Sequence, residues 1–140
     1  MEYLFVVVLS LALILPASFL FFDFSKGSED AVVASQVNRI GNRIVSSAEE
    51  MYVLGDDSRV TLDLVMPDSL ESMEIYGERE LVVSYYTQTG LSQAVFFSDI
   101  NMTNGTATDC NPGPCPIDVG PGANAVRVES EGDAVSVVRT

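Results

Sequence analysis

The N-terminal part of the chain is a run of 20 residues, 3–22, in which no side chain carries a charge. Glu2 precedes the run and Asp23 closes it. Apolar residues follow one another without a polar stripe, so a helix built from them is hydrophobic on every side. At about 1.5 Å per residue, this helix spans about 30 Å, the hydrocarbon thickness of a bilayer. The pattern predicts a helix that lies in lipid or inside an apolar assembly. Pro16 removes one backbone donor and allows a kink near Ala12, which membrane helices and packed helices tolerate.

Three interpretations of this apolar run stay open. A cleavable secretory signal fits poorly, because no basic region precedes the run, the run is long, and Ala17-Ser18 is a weak cleavage site. A plain membrane anchor would hold an outer domain at the surface. The third interpretation is a helix that starts in the membrane and ends in the core of a polymer, and the position of Glu2 favours it.

Glu2 stands at the very start of the apolar run, where a carboxylate is costly to bury without a partner. One interpretation is an interfacial acid at a helix N-terminus, where the helix dipole favours negative charge. The other is a carboxylate that pairs with the terminal amine of a neighbouring subunit. The residues alone leave both interpretations open.

A second helical pattern follows the apolar run, with one apolar stripe at spacings of three and four. The stripe consists of Val33, Val37, Ile40, Ile44, Ala48 and Met51. It predicts an amphipathic helix over residues 28–54, which Gly55 ends. Because Ser28 resembles a helix start, the helix is either broken near residues 23–28 or continuous.

Beyond Gly55 the chain alternates in the way that is typical of β-strands. The predicted strands are 59–66, 72–76, 80–87, 92–100, 125–129 and 134–139. They predict an antiparallel sheet or small sandwich, with the helix stripe covering one sheet face in an α+β head. Residues 101–125 are predicted to form a long surface loop. The expected organisation is a long helix over 1–55, apolar over 1–24, and a β-rich head over 56–140.

The charge and composition of the chain argue against several classes of function. Seven basic and 20 acidic side chains give a net charge of −13, which excludes binding to phosphate backbones as an expected function. No histidine is present, so a histidine-based triad, metal ligand or proton shuttle is excluded. Asp56-Asp57 and the set Asp99, Asp109 and Asp118 do not match the spacing of a calcium loop. We therefore expect no metal, no cofactor and no enzymatic activity, with a secreted enzyme as the weakest alternative.

The two cysteines, Cys110 and Cys115, enclose four residues and have no further ligand residues for a metal. We expect a structural disulfide, and hence an oxidising compartment outside the cytoplasm. Asn101-Met102-Thr103 and Asn104-Gly105-Thr106 are both N-glycosylation sequons, so Asn101 and Asn104 are candidate glycan acceptors.

Several segments, taken in order, resemble archaeal type IV pilin-like proteins of the class III signal peptide group. They are Glu2-Tyr3-Leu4 at the start of the apolar helix, Asn38-Arg39-Ile40-Gly41-Asn42, Ala48-Glu49-Glu50-Met51-Tyr52-Val53-Leu54-Gly55, Val60-Thr61-Leu62, Val65-Met66-Pro67-Asp68-Ser69-Leu70-Glu71-Ser72, and Val126-Arg127-Val128-Glu129. The resemblance covers nearly the whole chain. In the family the corresponding glutamate is usually the fifth mature residue, whereas Met1 alone precedes Glu2 here.

The resemblance implies an extracellular filament subunit whose helices bundle into a core while β-rich heads coat the outside. The partners would be many copies of the same chain, with the membrane holding each subunit before assembly, and the role would be adhesion to surfaces or cells. The residues expected to act in assembly are Glu2, Tyr3, Leu4, Phe5, Leu9, Leu13, Pro16 and Phe22. The alternative is a single-pass membrane-anchored extracellular domain that binds a ligand or partner.

Overall fold

A computed structural model of the chain describes residues 1–106 and 110–140. It contains two compact units, Met1–Val32 and Val33–Thr140. Asp109, one of the carboxylates considered above, lies outside the described residues.

Helix α1 extends from Glu2 to Leu54 without interruption near residues 23–28. It ends where Gly55 adopts a φ of 99° and donates its N–H to the carbonyl of Met51 at 3.2 Å. A left-handed residue in this position is a common helix C-cap, and glycine adopts it without steric cost. The predicted end of the helix at Gly55 is thus confirmed.

The second half of α1 buries the apolar stripe that its periodicity predicts. The buried positions are Val37, Ile40, Gly41, Ile44, Val45, Ala48 and Met51, and Val33 packs against them while partly buried. Arg39 and Arg43 lie on the exposed side. The polar side chain of Gln36 also binds the head, because its Nε2 donates to the carbonyl of Val65 at 2.8 Å.

Within residues 1–106 and 110–140, eight strands follow the helix, and each of the six predicted strands overlaps one of them. They are β1 (Arg59–Met66), β2 (Leu70–Tyr76), β3 (Glu80–Thr87), β4 (Gly90–Phe97), β5 (Met102–Thr103), β6 (Cys115–Ile117), β7 (Gly122–Ser130) and β8 (Val135–Arg139). They form two four-stranded sheets with the orders β1-β7-β8-β5 and β4-β3-β2-β6. All pairs are antiparallel except β5 with β8, which is parallel.

The two sheets and the helix stripe share one hydrophobic core. Strand β1 contributes Leu62, Leu64 and Met66, which alternate with exposed residues as the period of two requires. The other long strands also contribute buried residues, and β3 is buried on both faces over residues 81–85. The largest fully buried side chains include Ile44 of the helix and Ile75 of β2. The α+β layout expected from the sequence is confirmed.

The segment 101–125, expected to be a surface loop, is in part a component of the core. Its residues Met102 and Thr103 form β5, and Cys115–Ile117 forms β6. Met102 is fully buried, and Ile117 is 5% exposed. The surface-loop prediction is wrong for these two stretches, because strands of two or three residues are too short to show a periodic pattern among glycines and prolines. It is also wrong for residues 122–125, which are the first part of β7.

Candidate functional site

The apolar N-terminal segment occupies the first part of α1. Among the described residues, α1 is the helix whose length and composition allow it to cross a membrane. None of its most hydrophobic 18-residue window is buried. The side chains expected to act in assembly, Glu2, Tyr3, Leu4, Phe5, Leu9, Leu13, Pro16 and Phe22, are all exposed. Water is a poor solvent for such a surface, so the segment requires lipid or the apolar surfaces of other molecules.

The two serine hydroxyl groups inside this apolar segment are hydrogen-bonded within the helix. Ser10 Oγ donates to the carbonyl of Val6 at 2.8 Å, and Ser18 Oγ donates to the carbonyl of Ile14 at 2.9 Å. A serine bonded to the carbonyl four residues earlier has no unsatisfied donor to carry into an apolar medium. Pro16 lies in the helix interior and lacks an N–H, which removes one helical hydrogen bond. Apart from that bond, the segment suits an environment without water.

Glu2 is the first residue of α1 and is exposed. The positive end of the helix dipole therefore lies next to its carboxylate. No ion pair of Glu2 is found within residues 1–106 and 110–140. This geometry is compatible with an interfacial acid and with a carboxylate that is paired by another subunit.

The two cysteines form the expected disulfide. Cys110 and Cys115 are joined with their Cα atoms 5.5 Å apart, and both are buried. The four residues between them are exposed, and the Asn111-Pro112 peptide bond is cis. Since Cys115 begins β6, the disulfide attaches the irregular residues 110–114 to the second sheet. A structural disulfide indicates an oxidising environment outside the cytoplasm.

The two sequon asparagines lie close in sequence but in different settings. Asn101 is half-buried beside β5, where its Oδ1 accepts a hydrogen bond from Arg79 Nε at 3.3 Å. Asn104 follows β5, and its Nδ2 donates to the carbonyl of Pro116 at 3.0 Å. Its Oδ1 accepts from Thr106, which is exposed.

An exposed apolar face on the second sheet was not singled out from the sequence. Leu91, Val95 and Phe97 point outward from β4, and Tyr86 of β3 pairs with Leu91 across the strands. Phe97 is 72% exposed. Contiguous exposed apolar patches mark interaction surfaces more often than isolated apolar residues do. The sequence indicates this face, because residues 94–97 of β4 are apolar on both sides of the strand, whereas a strand with one solvated face alternates.

One titratable group in the head is clearly perturbed. Tyr76 Oη donates a hydrogen bond to Glu74 Oε2 at 2.9 Å. This hydrogen bond, the negative charge of Glu74 and slight desolvation together raise the pKa of Tyr76 above its ordinary value. The pair lies on strand β2, two residues apart in sequence.

Among residues 1–106 and 110–140, no group of three or more His, Cys, Asp or Glu side chains could hold a metal ion. A groove of about 620 Å³ lies beside Asn104 and is lined by residues of β6, by the end of β8 and by the C-terminus. Comparison of the chain with protein-family models, with curated proteins and with solved structures gave no match.

Proposed function

We propose that the protein is the structural subunit of an extracellular archaeal type IV pilus-like filament, which polymerises through its N-terminal helices. The observation that carries the proposal is the fully exposed apolar segment in residues 3–22. Such a surface is stable in the membrane before assembly and equally stable among copies of itself afterwards. Transfer from lipid to a bundle of like helices exchanges one apolar contact for another, and many subunits share the gain from packing.

The head supports an extracellular location through its buried disulfide. A small β-rich head with its own core can coat the outside of a helical polymer. A filament of this kind repeats one heterologous contact without closure, so a single pair of complementary surfaces is sufficient for any length. Adhesion to surfaces or cells is the role that the resemblance to pilin-like proteins favours.

The first test is the state of the chain on its source cells. Filaments sheared from the cells without detergent are imaged by electron microscopy, and the same fraction is analysed by mass spectrometry. The proposal expects thin filaments that contain this chain. Recovery of the chain only from the detergent-soluble membrane fraction would overturn it and favour the anchored extracellular domain.

A second test uses matched lysine substitutions in the helix. Leu13→Lys places a charge near the middle of the apolar run, where insertion scales give a cost of about 2.5–3.5 kcal/mol. The control Val32→Lys changes an exposed apolar residue outside that run. We expect loss of filaments with Leu13→Lys and normal filaments with Val32→Lys, and filaments from both variants would contradict a core built by this segment.

Glu2→Gln distinguishes the two interpretations of Glu2. The substitution keeps the size of the side chain and removes its charge. If Glu2 pairs with an amine of a neighbouring subunit, the substitution should reduce the number of filaments and leave the membrane insertion of the chain unchanged. An interfacial acid predicts an unchanged number of filaments.

A further inference from the structure

The two consecutive sequons, residues 101–103 and 104–106, are not equivalent in the folded head. In the first, Met102 and Thr103 form β5 and pair with Val135 and Ser136 of β8. Thr103 is 5% exposed. The backbone carbonyl of Asn101 accepts a hydrogen bond from the N–H of Val135 at 2.9 Å. An N-glycosylation transferase must contact both the asparagine of a sequon and the hydroxyl group two residues later. In the first sequon that hydroxyl belongs to Thr103, which is buried in the sheet.

The second sequon has its asparagine and hydroxyl together at the surface. The N–H of Thr106 donates to Asn104 Oδ1 at 3.2 Å, and Thr106 Oγ1 donates to the same oxygen at 3.0 Å. This is an Asx-turn, in which the side-chain amide replaces a backbone group in the turn. Gly105 and Thr106 are exposed, and Asn104 is partly exposed.

The middle residue of this turn has to be glycine. Gly105 has a φ of 74°, a conformation that L side chains rarely adopt. A Cβ at this position would lie 2.6 Å from Val138 Cγ2. The close approach of the backbone to β8 therefore holds the Asx-turn against the sheet, with its two functional side chains on the outside.

From this geometry we infer that Asn104, and not Asn101, is the N-glycosylation acceptor of the folded chain, and that its carbohydrate begins in the groove between β6 and the end of β8. The inference rests on the extracellular location within the proposed function, but it does not require polymerisation. In the transfer, Asn104 Nδ2 forms a bond to the anomeric carbon of an oligosaccharide carried on a lipid phosphate. The bond from that carbon to the phosphate oxygen breaks, the lipid phosphate leaves, and one amide proton goes to a base of the transferase. A glycosylated amide nitrogen keeps one hydrogen, so the bond to the carbonyl of Pro116 can persist.

The groove suits the first sugars of such a glycan. Asn104 is itself part of the lining, beside Ile117 and Asp118 on one side and Val138 and Arg139 on the other. Its volume of about 620 Å³ lies in the range of ligand pockets, and it combines apolar surface with charged and hydroxyl groups. Strand β5 pairs with β8 only at two positions, so residues 137–139 of β8 extend beyond it. A glycan placed here would cover that strand edge, and exposed edges invite pairing with other chains.

The test is mass spectrometry of the chain purified from its source cells, with fragmentation that retains the glycan and locates it. We expect the glycan on Asn104, its loss in Asn104→Gln, and its retention in Asn101→Gln. Thr106→Val should abolish it and Thr106→Ser should retain it, because the hydroxyl is the group required. A glycan on Asn101, or an unmodified Asn104 in chains recovered from the cell surface, would overturn the inference.

Two controls separate this outcome from misfolding and from failure of the filament proposal. Each variant is checked for the Cys110–Cys115 disulfide, so that a lost glycan is read only from chains with a folded head. Filaments that contain unmodified chains would overturn the glycan inference alone, whereas glycosylated chains found only in the membrane would overturn the filament proposal alone.

Amide hydrogen exchange tests whether the first sugars lie in the groove. Exchange over residues 137–139 should be several-fold slower in the glycosylated chain than in Asn104→Gln. Equal exchange would refute the placement of the sugars.

Discussion

The ring of Phe96 lies against the backbone of Gly41, so closely that a Cβ at Gly41 would overlap the ring. Gly41 belongs to the buried stripe of α1, and Phe96 is the inward-facing aromatic residue of β4. Only a residue without a side chain lets the helix approach the edge of the second sheet this closely. The contact is one of the places where the helix and the sandwich become one core.

We expect Gly41→Ala to destabilise the head, although alanine is the better helix former. The added methyl group must displace a buried ring, and overpacking of this kind costs about 1–3 kcal/mol. Thermal unfolding of the full chain in detergent micelles, followed by circular dichroism, measures the effect. The matched control is Gly27→Ala in the same helix, where a Cβ has no neighbour within 4 Å. We expect no loss of head stability in the control, and a Gly41→Ala chain as stable as the original would refute the close-packing argument.

The long elements of this fold were predictable because their hydrophobic periods extend over many residues. Val37, Ile44 and Met51 repeat on one helix face and are buried. Leu62, Leu64 and Met66 alternate with exposed residues along β1 and are buried as well. Each such pattern has several independent repeats, so a local exception does not change the period. The helix stop at Gly55 was predictable for a different reason, since few residues other than glycine adopt its φ.

The features that escaped prediction depend on contacts between segments distant in sequence. The role of Gly41 depends on Phe96, which lies 55 positions later. Strands β5 and β6 are defined by their partners β8 and β2 and not by a pattern of their own. The difference between the two sequons likewise arises from Ser136, because Thr103 pairs with it in the sheet and is buried there. A sequence pattern reports the period of an element and not the identity of its neighbour.

Removal of the disulfide should destabilise the head moderately. For a ring as small as Cys110–Cys115, the chain-entropy argument gives a loss of about 2 kcal/mol in the free energy of unfolding. We expect Cys110→Ser with Cys115→Ser to lower the denaturant midpoint, and addition of a reductant to lower the midpoint of the original chain similarly. The double variant should not respond to reductant. A midpoint that is insensitive to both changes would show that the ring contributes nothing to head stability.

The pair of Tyr76 and Glu74 predicts a dependence of stability on alkaline pH. The hydrogen bond to Glu74 raises the pKa of Tyr76 in the folded chain, so folding favours the neutral phenol. The contribution is present below the ordinary tyrosine pKa of about 10 and is lost as the pH rises through the raised value. This pKa can be measured by ultraviolet titration of the tyrosines. The titration curve of Tyr76→Phe is subtracted from that of the original chain, which leaves the signal of Tyr76. Glu74→Gln should return it towards the ordinary value, and an unchanged titration in that variant would contradict the assignment to Glu74.

Filament stability should depend on salt in the direction set by the net charge. Each chain carries a charge of −13, and heads that surround a common core repel one another. Salt reduces this repulsion, because the screening length falls from about 30 Å at 0.01 M to about 10 Å at 0.1 M. We therefore expect sheared filaments to lose subunits on dialysis into low salt. Sedimentation of the polymer against free subunits measures the loss.

A charge series shows whether repulsion between heads is the cause. Substituting Asp57→Asn, Asp68→Asn and Glu71→Gln together removes three exposed carboxylates and changes the charge from −13 to −10. Arg59→Gln removes one exposed cation and changes the charge from −13 to −14. Because repulsion grows with net charge, the salt concentration needed for assembly should be lowest at −10 and highest at −14. An order that does not follow the charge, or filaments equally stable at low and high salt, would mean that head repulsion does not limit the polymer.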